Sequence, residues 1–158
     1  MFNPDTSSVS TFMPSFEMAA RSLRIEPIIA PVHSDADIET AINDLGREPR
    51  GGLVTVDYFE FVHRAAIISA AARNKLPAVY SGSYFARDGG LLSYAVDSVD
   101  ILRRAATYAD RILRGAKPGD LPVQFPTKFE MVVNRKIATA LGLAILPSIM
   151  LRADEVIE

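Results

Sequence analysis

The chain has 158 residues, a formal net charge of −2 and 49% hydrophobic residues, the size of one domain with a real core and the composition of a globular protein. Its 17 basic and 19 acidic residues are scattered and offer no basic field for nucleic acid. The absence of cysteine excludes disulfides, thiol nucleophiles and zinc sites of the CxxC kind; with no leader-like start and no run of ~20 apolar residues, the chain as written is expected to stay in the cytoplasm.

In chain order, Phe12, Phe16, Ala19, Ala20 and Leu23 recur at helical spacing and predict a helix over 10–23, perturbed near its start by Pro14. IEPIIAPV, 25–32, is a short β-branched run before the turn-prone HSDAD and predicts a buried strand. Ser34 and Asp37 then stand in a Ser/Thr-x-x-Asp/Glu capping pattern ahead of Ile38, Ala41, Ile42 and Leu45, which predicts a helix ending near Gly46. GGLVTVD, 51–57, reads as a strand launched from a glycine pair, FVHRAAIISAAARNK, 61–75, as a helix with a basic end, and LPAVY, 76–80, as another strand. The loop SGSYFARDGG follows, dense in hydroxyls and set between apolar runs. Ile101, Leu102, Ala105, Ala106, Ala109, Ile112 and Leu113 make one stripe of a helix over 98–115, with Gly115 as its stop. FEMVVN, 129–134, predicts a last strand, and RKIATALG a short helix closed by Gly142.

Strands alternating with helices at this spacing, each strand an unbroken apolar run, predict an α/β fold: a three-layer (αβα) arrangement around a mainly parallel sheet. In such sheets ligands sit beyond the carboxyl ends of the strands. NPDTSS, VDYFE and SGSYFARDGG each follow a predicted strand, so they are expected to gather on one edge.

The chemistry-bearing residues point away from catalysis. Ser81 and Ser83 lie outside any GxSxG elbow and read as loop hydroxyls that cap or contact a ligand, although a small hydrolase using Ser83 with His63 is an alternative. His33 reads as a solvated turn residue and His63 as a surface or boundary residue; with no spaced partner they make no metal site. GREPRGG, 46–52, places its glycines before a strand, the reverse of a dinucleotide fingerprint. Asp35, Asp37, Asp44, Asp97, Asp100 and Asp110 fall at helix starts or on polar helix faces. Asp57 directly follows an apolar strand, where it either caps the next helix or faces a cleft and pairs with an ammonium group. Tyr58, Phe59, Tyr80, Tyr84, Phe85 and Tyr94 cluster in the loops after strands and around the glycine pair, a mixture that suits a half-wet pocket for a small amphipathic molecule.

MFNPD near the start, LPAVYSGSYFARDGGLLSYAVDS, GAKPGDLPVQFPTKFEMVVN and the closing ADEVIE resemble the substrate-binding proteins of ABC transporters with a type I periplasmic-binding fold, in the branch that includes tryptophan- and phenylalanine-binding members. The resemblance implies two α/β lobes closing by a hinge on a solute, an extracytoplasmic location and docking on an ABC permease, with no cofactor, metal or catalytic residue. It covers the C-terminal half of that family's pattern. By that pattern, 1–88 and 122–146 form the second-lobe core, 89–121 hold the crossover and a helix that packs on the first lobe, and 147–158 are a tail. Carried over position by position, it implies a solute wall of Asn3, Thr6, Ser7, Ser8, Asp57, Tyr58, Ser81, Ser83, Tyr84, Ser93 and Tyr94. The same fold also serves as an effector-sensing regulatory module, an alternative resting on fold analogy. With no first lobe to cover it, the stripe of the 98–115 helix is expected either to self-associate, together with the exposed sheet edge, or to fold back over that edge.

Overall fold

Helical stripes and β-branched runs alternate along the chain, and each can bury its apolar side only against the other. The computed structural model describes residues 1–56 and 58–158. In chain order its helices are α1 (Val9–Ser22), α2 (Asp35–Leu45), α3 (Phe59–Val62), α4 (Arg64–Arg73), α5 (Ser83–Arg87), α6 (Ser98–Leu113), α7 (Arg135–Ala140) and α8 (Pro147–Met150). Its strands are β1 (Leu53–Val54), β2 (Ala78–Tyr80), β3 (Leu92–Val96), β4 (Phe129–Asn134) and β5 (Glu155–Ile157).

Among the described residues the strands form one sheet in the order β1-β2-β3-β4-β5. β1, β2 and β3 run parallel, β4 is antiparallel to β3, and β5 is parallel to β4, so the expected α/β class with a mainly parallel sheet is the one observed. Beyond β1 the sheet continues through the N-terminus: the Met1 amino group donates to Val54 O (3.0 Å), Phe2 N donates to Ala30 O (3.1 Å) and Val32 N to Phe2 O (2.9 Å). The strand expected over 25–32 shrinks to this single bridge at Pro31, because Pro27 and Pro31 have no N–H to give a ladder.

The main apolar cluster lies on one face of the sheet, where Leu53, Ala78 and Tyr80 meet Val32, Ile38, Ile42, Ile67, Ala70, Leu76 and Phe85; Val133, in register with Leu92 on the opposite face, is buried as well. Strand alternation sends Val54, Val79 and Tyr94 to the other face, where they stay 38–47% exposed. The capping pattern before α2 is used: Ser34 Oγ accepts from Asp37 N (3.2 Å), and the Asp37 carboxylate accepts from His33 N (2.9 Å). The helix expected over 61–75 is divided at His63, whose φ of −94° and ψ of 12° interrupt it; there the ring is held by Asp35 from α2 and packed at a tilt against Phe59. The SGSYFARDGG loop contains α5, a turn of helix too short to show a period in the sequence.

β3 falls within the stretch expected to be a crossover and β5 within the expected tail, yet both are strands of this sheet; EVI is three residues, too few to display a strand pattern. α6 leaves after β3 and buries none of its residues, with Leu102 and Leu113 69% and 87% exposed. It is not folded back over the sheet. Its attachments are polar: Asp97 accepts from Asp100 N (3.0 Å) as N-cap and pairs with Lys128 (2.7 Å), Arg104 donates to Thr127, and Tyr108 donates to Pro122 O (2.6 Å). None of the described helices is long and apolar enough to cross a membrane.

Candidate functional site

Parallel strands share a carboxyl edge, and whatever follows each of them must emerge there. The segment after Phe2 turns at once: buried Asn3 accepts Asp5 N on its side chain (2.8 Å) and Ser7 N on its carbonyl (3.0 Å), which sets out Thr6, Ser7 and Ser8 as exposed or half-buried hydroxyls. After β1, buried Thr55 accepts the Ser81 N–H on its hydroxyl (3.4 Å), tying this segment to the one after β2. Tyr58 is 74% exposed and stacks on Phe61 with ring centroids 5.6 Å apart. Phe61 in turn meets the edge of Tyr84 at 4.8 Å and carries the Arg64 guanidinium 5.3 Å over its ring, while Asp88 holds that guanidinium at 2.7 Å.

Tyr84 continues the aromatic array inward to Phe85 (5.1 Å), and Phe85 to Tyr80 (4.7 Å). Glycine makes this possible, since a Cβ on Gly82 would stand 2.3 Å from the Tyr84 ring. Burial, and then the charge of Glu60, push the Tyr84 phenol above its ordinary pKa. Burial lowers the pKa of the Met1 amino group, and Glu60 opposes that shift. Glu60 is fully buried, so a carboxylate lies beneath this wall. Ser83 Oγ accepts from Arg87 (3.1 Å), which also engages Glu130 (2.9 Å) and Glu155 (2.6 Å).

The structure therefore brings Asn3, Thr6, Ser7 and Ser8, then Tyr58, then Ser81, Ser83 and Tyr84 to one edge. Asp57 lies outside the described residues. Ser93 and Tyr94 do not act as a pair, because neighbours in a strand point to opposite faces. Ser93 is fully buried opposite Tyr80 and Val132, its Oγ without a hydrogen-bond partner among the described residues, whereas Tyr94 is half-exposed on the other face against Phe129 (5.5 Å). Thr55, Glu60 and Phe61 also belong to this edge, although little in the sequence marks them. A lone hydroxyl in LVTV and a lone carboxylate in FEFV were the available signals.

No hydrolytic pair forms among the described residues: Ser83 is engaged by Arg87 and His63 Nδ1 lies 2.6 Å from Asp35. No cluster of three or more potential metal ligands occurs among them either. A cavity of about 290 Å³ lies elsewhere, lined by Arg135, Thr139, Leu143 and Met150 beside α7. At the carboxyl edge the arrangement is an open wall of hydroxyls and one exposed aromatic face.

The sequence model of the family described as ABC transporter substrate binding protein matches residues 1–157. Comparison with curated proteins returned no match. Among solved structures, a conserved domain protein from Vibrio cholerae is similar at a TM-score of 0.85 and 23% identity, covering 98% of this chain and 52% of that one. An ABC domain from Streptococcus pneumonia in complex with L-Trp has a TM-score of 0.84 and 25% identity over 99% of this chain and 55% of that one. The ligand-free, open structure of CD0873, a substrate-binding protein with adhesive properties from Clostridium difficile, has a TM-score of 0.67 and 18% identity over 99% and 52%. The chain thus spans about half the length of each of these structures.

Proposed function

The chain belongs to the ABC transporter substrate-binding protein family, and from that premise we propose that its carboxyl-edge wall holds a small amino acid with an aromatic side chain for delivery to an ABC permease. The observation that carries this reading is the convergence of three post-strand segments on one edge, with the Tyr58 ring open to solvent between two sets of hydroxyls. A zwitterion finds donors for its carboxylate in the hydroxyls of Thr6, Ser7, Ser8, Ser81 and Ser83, and a stacking surface for its ring on Tyr58. Asp57 is the proposed partner of its ammonium group. The L-Trp bound to the streptococcal neighbour supports the choice of an aromatic solute.

In the two-lobed arrangement that the resemblance implies, the opposite wall belongs to the other lobe, α6 packs on that lobe, and the protein works outside the cytoplasm as a binder with no catalytic residue. The exposed stripe of α6 is also the surface through which two copies of this chain would associate. Because the chain contains no tryptophan, the indole emission of added L-tryptophan reports binding without protein background. Saturable binding, weakened about tenfold by Tyr58→Ala through loss of one stacked aromatic pair, is the expected result. No saturable change with tryptophan, phenylalanine or tyrosine up to millimolar concentration overturns the aromatic reading.

A further inference from the structure

We propose that Arg87 is a positioning residue for the solute's carboxylate: it fills the acceptor side of the Ser83 hydroxyl and so commits that hydroxyl to donate. This rests on the reading of Ser83 as part of the solute wall. A serine hydroxyl carries one proton and two acceptor lone pairs and rotates to suit its neighbours, so an unheld serine would offer a solute either a donor or an acceptor. Which of the two the solute meets is decided by what already holds the oxygen.

Arg87 Nη1 donates to Ser83 Oγ at 3.1 Å, one turn along α5. A guanidinium has donors and no acceptor, so the Ser83 proton turns away from it. Among the described residues Ser83 Oγ has Arg87 as its hydrogen-bond partner and no acceptor for its own proton. The guanidinium is itself fixed. Its Nε and Nη2 both donate to Glu155 Oε2 (3.0 and 2.6 Å), and Nη2 also donates to Glu130 Oε1 (2.9 Å). Glu130 lies in β4 and Glu155 in β5, so two strands brace one side of the planar fork while Nη1 is aimed at Ser83.

A hydroxyl that accepts from a cation is polarised into a stronger donor, and the acceptor that suits such a donor best is an anion. Ser83 opens α5 just beyond the carboxyl end of β2, where the solute's carboxylate is placed. The same arrangement discriminates by group: a carboxylate oxygen accepts from Ser83, whereas an ammonium or amide nitrogen there would set donor against donor. Arg87, Glu130 and Glu155 are 46%, 27% and 39% exposed, so solvent screening holds the effect on affinity to about three- to tenfold.

L-tryptophan titrations of the full chain, of Arg87→Gln, of Ser83→Ala and of the two combined test the assignment. The expected result is affinity lowered about three- to tenfold by each single change and no further in the double variant, because Arg87 acts through Ser83. Tryptamine, which keeps the ring and the ammonium group but has no carboxylate, should bind the parent chain and all three variants alike. Arg87→Gln that weakens L-tryptophan equally with and without Ser83, or that weakens tryptamine as much as L-tryptophan, overturns the proposal and leaves Arg87 a brace between strands. Acetate, a carboxylate alone, separates this inference from the aromatic reading. Amide resonances of residues 82–84 that shift saturably with acetate, and less in Arg87→Gln, in a chain that binds no tryptophan support the donor and count against the aromatic solute. No shift with acetate or tryptophan overturns both.

Discussion

Gly82→Ala tests whether the aromatic array behind the wall is held in place by a missing side chain. Gly82 has an extended backbone, φ −152° and ψ 138°, which any residue adopts, so the added methyl brings no backbone strain. It does bring a collision, at 2.3 Å from Tyr84 Cζ and 2.6 Å from its hydroxyl oxygen. The ring must swing away from Phe61, which it meets edge-on at 4.8 Å, and from Phe85 at 5.1 Å. Each aromatic pair contributes about 0.5–1.5 kcal/mol beyond its buried area, so losing both costs about 1–3 kcal/mol. In a chain of this length each kcal/mol lowers the melting temperature by about 2–4 °C. The assay is a double-mutant cycle in urea, followed by circular dichroism, with Tyr84→Ala as the second change. Once the ring is gone the methyl at position 82 has nothing to strike, so Gly82→Ala should be close to neutral in that background. Additivity of the two changes within about 0.5 kcal/mol would refute the claim that Gly82 acts through Tyr84.

Gly90→Ala should be more severe, at about 1–3 kcal/mol with little relief from relaxation, because its Cβ would meet both the buried Tyr80 ring at 2.5 Å and the Phe85 carbonyl at 2.9 Å; chemical denaturation measures it. Asn134→Ala should cost about 2–4 kcal/mol, since this buried side chain donates to Ala86 O (3.1 Å) and caps α7 through Ile137 N (3.1 Å); the loss is read from the urea midpoint. Hydrogen bonds from Lys128 and from Asp100 N hold the Asp97 carboxyl below its usual range. Its contribution is therefore full above the ordinary aspartate value near ~4 and disappears as pH falls through the lowered one. The Asp100 amide resonance should shift in that acid window and lose the response in Asp97→Asn.

Much of the fold is legible in the sequence because it rests on local signals. The 129–134 strand carries Phe129, Met131, Val132 and Val133 in one short stretch, and α2 begins at a capping pattern whose bonds form as expected. What escaped depended on context. Pro27 and Pro31 reduced an apolar run to one bridge, α5 and β5 were too short to show a period, and a histidine held by a distant aspartate split an apparently continuous helix. At the candidate site the hydroxyl segments were readable from their position after strands. Glu60 and Thr55 were not, because a polar residue inside an apolar run declares only that something meets it. The pairing of Ser93 with Tyr94 failed on the two-residue period of a strand.

A helix with no buried residue, joined to the sheet by capping bonds and ion pairs, shares little of the sheet's folding free energy. Residues 98–127 should therefore melt as their own cooperative unit, ahead of the strands and without dragging them apart. Thermal unfolding would then begin with a drop in helical signal while the packed tyrosines Tyr80 and Tyr84 still report an intact interior.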